Sequence, residues 1–245
     1  MSLPAPEHPC FSINSVVTKV DENQNDCPDA SVNISTDFYA IALKKIVRGD
    51  VLYGRKQYDC RNGTMFFLAP NQIFSTKGIK IESEANLILI HPEFLKGHEL
   101  KRLIEQCAFF DYATSEALHL SPKEEVSLLS IFKSISDECQ SNYDTFSRDI
   151  ILSHVKTILT YSERYYRRQF IQRSEVTTST YRSLIEALEQ HYAKDSVNGL
   201  PEIKEIAHKL NMSQRYLSDA LKSEANMSAK ECIQNYIMDR AKYEL

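Results

Sequence analysis

The chain lacks the cysteine patterns that mark zinc or redox sites. Its six cysteines, Cys10, Cys27, Cys60, Cys107, Cys139 and Cys232, form no CxxC pair, and no His stands at ligand spacing from one. No signal peptide is expected, and 42% of its residues are hydrophobic, enough for a core without disulfides. The cysteines are therefore expected to be reduced thiols in a cytoplasmic protein. No apolar run is long enough to span a bilayer, so no membrane partner is expected. There is no internal repeat and no low-complexity tract. Excess positive charge is also missing: the net charge is −4, and no basic field covers the whole molecule.

What is present is a chain of 245 residues, 25% of them charged. It can hold two compact domains, each with its own core. The C-terminal stretch from Pro201 to Leu245 is the most informative. Ile203, Ile206, Ala207 and Leu210 share one face at helical spacing. Pro201 suits the first turn of that helix. The pattern breaks at Asn211-Met212, where Asn tolerates the left-handed backbone of a tight turn. Ser213 is a ready N-cap for a second helix from about Gln214 to Glu224. That helix buries Tyr216, Leu217, Ala220 and Leu221 and exposes Gln214, Arg215, Ser218, Asp219 and Lys222. Ser228 to Glu231 reads as a capping box opening a third helix. Two helices and a turn at this spacing predict a helix-turn-helix, although ordinary bundles use the same elements.

From Phe11 to Pro92 the periodicity is two. FSINSVV, FYAIALKKIV, DVLYG, TMFFLAP and NLILIHP read as strands, separated by turn chemistry at Arg48-Gly49-Asp50 and Arg61-Asn62-Gly63. Many short strands at this spacing predict a barrel or sandwich. Alternation makes Tyr53, Phe66 and Phe74 candidate wall residues of an interior pocket, with Lys44 and Arg55 as candidate anion partners. The competing reading is plain core aromatics and solvated charges.

After His91-Pro92 the period changes to that of helices. HELKRLIEQCAFF is expected to bury Leu100, Leu103, Ile104 and Cys107. Ser121-Pro122-Lys123-Glu124 is a strong helix start, and the helix that follows is expected to bury Val126, Leu129, Phe132 and Ile135. A longer helix runs from about Ser147 to Phe170 with a wide apolar stripe. One side of it could pack on the strands while the other meets a second chain, or both could pack within one chain.

The stretch IAHKLNMSQRYLSDALKSEANMSAKECIQNYIMDRAKYEL resembles the first helix-turn-helix of the AraC/XylS family of transcription regulators. Met227 stands where that family usually has Gly. The family carries two such motifs joined by a long helix, and this sequence ends at Leu245, on or near the joining helix. The second motif is therefore absent from it, and the chain is expected to be either truncated relative to the family or atypical of it. The N-terminal part resembles the family's cupin-like sensor domain: Gly63, then Met65-Phe66-Phe67-Leu68, then Pro70 follow the second cupin motif. Phe74 occupies the place of the metal-ligating His of many cupins, and the early His-x-His is missing. No metal and no cofactor are expected. FFDYATSEALHLSPKEE and YSERYYRRQF are similar to the version of the family common in the Bacteroidetes. The resemblance covers the chain from about Asp37 onward.

The resulting expectation is an α+β chain of three parts. Residues 1–95 form a cupin-like sensor barrel, 96–175 a helical dimerisation region, and 176–245 an all-α helix-turn-helix module truncated relative to the family. The resemblance implies a cytoplasmic, DNA-binding transcription regulator controlled by a small-molecule effector, a homodimer through the helices of residues 122–170. Gln214, Arg215 and Ser218 are the expected base-edge contacts, because they occupy the exposed N-terminal half of the second helix. Lys204, Lys209 and Lys222 are the expected phosphate contacts. Asp219 would be repelled by phosphate, and is expected to accept from a cytosine or to orient Arg215. No nucleophile–base pair or paired carboxylates stand at recognisable spacing in the strand-rich part, so no catalytic residue and no enzyme are expected. The module from Gly199 to Leu245 has seven Lys/Arg and seven Asp/Glu. That neutrality keeps open a rival in which the helix-turn-helix docks a partner protein such as RNA polymerase.

Overall fold

The computed structural model describes residues 8–18, 31–48, 51–53, 56–58, 63–77, 82–113, 116–141, 143–176, 179–192 and 201–243. The chain divides into two compact units. The first comprises residues 1–110 and 117–163, the second residues 111–116 and 164–245.

Among the described residues the first unit contains nine strands: β1 (Phe11–Thr18), β2 (Ser31–Ile34), β3 (Tyr39–Arg48), β4 (Val51–Tyr53), β5 (Lys56–Tyr58), β6 (Thr64–Leu68), β7 (Phe74–Lys77), β8 (Glu82–Ile90) and β9 (Leu118–His119). Five of them form an open antiparallel sheet in the order β1-β8-β3-β6-β9. The pairs β2-β7 and β4-β5 stand as two-stranded sheets. Register sorts the side chains of the large sheet by face. Ile41 pairs with Phe67 and Ile88, and Leu43 with Met65, and all five are buried. Ala42 and Leu87, in register with Phe66, lie on the opposite face.

The helices described in this unit are α1 (Leu100–Gln106), α2 (Pro122–Gln140) and the beginning of α3 (Ser147–Val176). Phe67 meets the ring of Phe109 at 4.4 Å between centroids, in the 3-10 turn Ala108–Asp111. α2 starts as its sequence predicts: Ser121 and Glu124 form a complete capping box, with Pro122 in the first turn. Its buried stripe is not the expected one. Val126 is 68% exposed and Leu129 half-buried, whereas Leu128, Phe132 and Ile135 are buried together with Glu125. The Glu125 carboxylate accounts for that burial. It accepts from the Gly63 N–H at 3.2 Å and pairs with Lys45 at 3.4 Å. A Cβ on Gly63 would lie 2.9 Å from Glu125 Cγ, so glycine permits the close approach.

Cys10, Cys107, Cys139 and Cys232 are free thiols; Cys27 and Cys60 lie outside the described residues. Burial, with the charge of Glu163 adding to it, pushes the Cys107 thiol up to about 12. It is therefore protonated and unreactive at neutral pH. Iodoacetamide at pH 8 is expected to spare Cys107 in the folded chain and label it after unfolding. Fast labelling of the folded chain would contradict this assignment.

The elements described in the second unit are helices: the remainder of α3, then α4 (Thr180–Tyr192), α5 (Ile203–Lys209), α6 (Gln214–Ala225) and α7 (Ala229–Tyr243). Leu184 and Leu188 of α4, Ile206 and Ala207 of α5, Leu217 and Leu221 of α6, and Cys232 of α7 make one apolar core. The notable member is the short segment 111–116, which joins this unit from far away in the sequence. Its Tyr112 ring lies edge-on to Tyr166 and Tyr216, each at 5.2 Å, and Phe170 meets Tyr216 at 5.0 Å. Tyr166 donates to the Glu116 carbonyl at 3.1 Å. Burial raises the Tyr166 phenol well above its ordinary range, so it remains a neutral donor.

Candidate nucleic-acid interface

The turn between α5 and α6 is built by hydrogen bonds that the sequence specifies. Asn211 adopts φ 54°, the left-handed conformation expected of it. The Asn211 N–H donates to the His208 carbonyl at 3.0 Å and the Met212 N–H to the Ala207 carbonyl at 2.9 Å. That pair of bonds is the Schellman ending of a helix, which satisfies carbonyls that α5 leaves open. Pro201 stands outside the helix. The N-cap is Glu202 and the first helical residue is Ile203, so the expectation of proline in the first turn is corrected by two positions.

Ser213 caps α6, its hydroxyl accepting from the Tyr216 N–H at 3.2 Å. Tyr216, Leu217, Ala220 and Leu221 are buried, as their spacing predicts. α7 opens on the Ser228–Glu231 capping box, in which Ser228 bonds hold the Glu231 carboxyl below the usual carboxylate range.

Three carboxylates tie α6 down. At its start, Glu116 accepts from the Ser213 N–H at 2.6 Å, from the Ser213 hydroxyl at 2.6 Å, and from the Ala113 N–H at 2.7 Å. Glu116 is 7% exposed. A negative group there also meets the positive end of the helix dipole. In the middle, Asp219 Oδ2 accepts from the Tyr112 hydroxyl at 2.9 Å and pairs with Arg215 Nε at 3.4 Å, one helical turn back. At its end, Glu224 accepts from the Ser179 hydroxyl, the Thr180 hydroxyl and the Tyr181 N–H, capping α4. Asp219 was expected on the exposed face with Arg215; it is half-buried, because Tyr112 holds it.

Gln214, Arg215 and Lys222 are exposed on α6, and Lys204 and Lys209 on α5. The three lysines have no ion-pair partner among the described residues. Ser218 is half-buried, and its hydroxyl donates to the Gln214 carbonyl at 2.9 Å, which leaves it only acceptor capacity. Glu224, Glu231 and Asp219 are engaged in bonds within the unit.

The candidate pocket residues of the first unit are placed in part. Lys44 and Phe66 lie on one face of the large sheet, Lys44 in register with Thr64 and Ala42 with Phe66. Both side chains are half-buried, and Lys44 has a partner of its own. Tyr53 lies on β4 and Phe74 on β7, but their side chains, and Arg55 altogether, fall outside the described residues. Among the described residues, no three His, Cys, Asp or Glu side chains gather as metal ligands, and no helix is long and apolar enough to cross a membrane. The anchors that sequence reading missed are Tyr112 and Glu116. They carry no periodic signal, and their partners in and before α6, Asp219 and Ser213, lie 107 and 97 positions away.

No family model matches the chain. Among solved structures it is similar to ToxT from Vibrio cholerae, at 9% identity over 96% of this chain and 82% of that one, with a TM-score of 0.34. A second ToxT structure matches at 11% identity over 91% and 98%, also at 0.34. A third, bound to (E)-4-(8-methylnaphthalen-1-yl)but-3-enoic acid, matches at 12% identity over 96% and 83%, with a TM-score of 0.29. Among curated proteins, the chain is 25% identical over 219 residues to the Uncharacterized HTH-type transcriptional regulator YfiF of Bacillus subtilis, a match that covers 83% of this chain and 63% of that protein's length.

Proposed function

We propose that the chain is a DNA-binding transcription regulator of the AraC/XylS kind, reading promoter DNA through α5 and α6. One observation carries the reading. α6 follows a Schellman-ended α5, and its outer face presents Gln214, Arg215 and Lys222 unobstructed. The similarity to a protein named as an HTH-type transcriptional regulator supports it. In a helix-turn-helix the second helix enters the major groove, with its N-terminal residues against base edges. Arg215 then faces guanine and Gln214 adenine, the pairs that their donor geometry favours. Ser218 serves as an acceptor beside them. Lys204, Lys209 and Lys222 meet phosphates and set register.

The first unit is a cupin-like sensor in this reading. A small effector binds on the sheet face that carries Lys44 and Phe66. Two copies pair through the helices of residues 122–170, in the cytoplasm. The rival reading, in which the helix-turn-helix docks RNA polymerase or another protein, rested on the module's neutral charge. The salt dependence of binding separates the two readings, because only the DNA complex releases counterions in proportion to the phosphates contacted.

Selection from a random duplex pool at two salt concentrations tests the reading. An enriched motif whose affinity falls steeply with salt is expected, because released counterions scale with the phosphates contacted. Arg215→Ala should cost about 1–3 kcal/mol on the selected site and relax preference at one base pair. An equal loss on every sequence would make Arg215 a phosphate contact instead.

A further inference from the structure

We propose that Tyr112 is a positioning residue for sequence readout, acting through Asp219 on Arg215. The inference rests on the DNA reading above and adds a residue distant in sequence from the helix-turn-helix to its specificity apparatus. A guanidinium on an exposed helix face samples many rotamers, and ordering it on a base edge costs entropy. Here Arg215 is partly ordered in advance by its pairing with Asp219. A lone i,i+4 pair at the surface holds weakly. The Tyr112 hydroxyl adds a second bond to the same Asp219 oxygen, at 2.9 Å. The Tyr112 ring is itself fixed, being 5% exposed and wedged edge-on between Tyr166 and Tyr216. The carboxylate is thus held from the inside by a rigid phenol and offers its remaining capacity to Arg215. The segment around Tyr112 is pinned in turn by Glu116 on Ser213, which fixes the rotation of α6 about its axis.

Tyr112→Phe removes one hydroxyl and keeps the ring packing. In the full chain, we expect preference at the base pair read by Arg215 to fall on the order of 2–10-fold, the worth of one net hydrogen bond. Affinity for random duplex and the urea midpoint should barely move. Asp219→Asn, which keeps an acceptor but loses the charge, should weaken preference at the same base pair. Combined with Arg215→Ala, Tyr112→Phe should cause no further loss there, because both act on one contact. Selectivity equal to the parent chain would overturn the assignment. So would a uniform loss on all sequences together with a lower urea midpoint, which marks a structural role only. A parent chain that enriches no sequence would overturn the DNA reading itself, and this assignment with it.

Discussion

Leu217→Ala should cost the second unit about 3–4 kcal/mol. Leu217 is fully buried in α6, among Leu184, Leu188, Ile206 and Leu221. Truncation removes its transfer free energy and leaves a cavity that three surrounding helices can only partly close. A domain is stable by about 5–15 kcal/mol, so the loss is a large fraction of the whole. Urea unfolding followed by a probe in the second unit, such as an amide-exchange signal from α4, should show the midpoint fall sharply. The first unit's transition should stay in place. A shift below about 1 kcal/mol would mean that α6 is not packed as described.

Glu116→Ala should be nearly as damaging, at about 3 kcal/mol, although it deletes a polar group. The carboxylate serves three donors in a place with almost no access to water. Removing it leaves the Ser213 and Ala113 N–H groups without that acceptor, and bonds to a charged group are worth about 1.5–3 kcal/mol each, less when counted together. Glu116→Gln retains an acceptor oxygen and should recover much of the loss. The comparison separates bonding from charge. If Gln and Ala are equally destabilising, the negative charge against the α6 N-terminus is the larger contribution.

Much of the helix-turn-helix is legible in the sequence because its signals are local. The Ile203–Ile206–Ala207 stripe, Asn211 in the turn and Ser213 at the cap each depend on residues within four positions. The capping box at Ser121 is legible for the same reason. The stripe of α2 is misread by apolar periodicity because a charged residue, Glu125, takes an inward position to meet Gly63 and Lys45. β2 (SVNI) and β7 (FSTK) are short and half polar, so alternation does not reveal them. Tyr112 and Glu116 are invisible for a different reason. Nothing near Glu116 in sequence announces that its partner is Ser213, and pairing at that separation leaves no periodic trace. The exposed face of α6 could be read outward from the sequence, but the bonds that hold it from inside could not.

The dependence of α6 on the segment 111–116 has a consequence for how the protein is made. Glu116 leaves the ribosome 97 residues before Ser213, and Tyr112 leaves it 107 before Asp219. At about 5–20 residues per second, the earlier segment waits on the order of 5–20 s for its partners. Closing a chain loop of that length must precede any gain from the contacts it enables, which slows folding. A nascent chain stalled near Lys209 would carry α4 and α5 but not Ser213, the partner of Glu116 at the start of α6. The second unit is therefore expected to acquire its native order late and all at once, after α6 has emerged, and not helix by helix as its local signals would suggest.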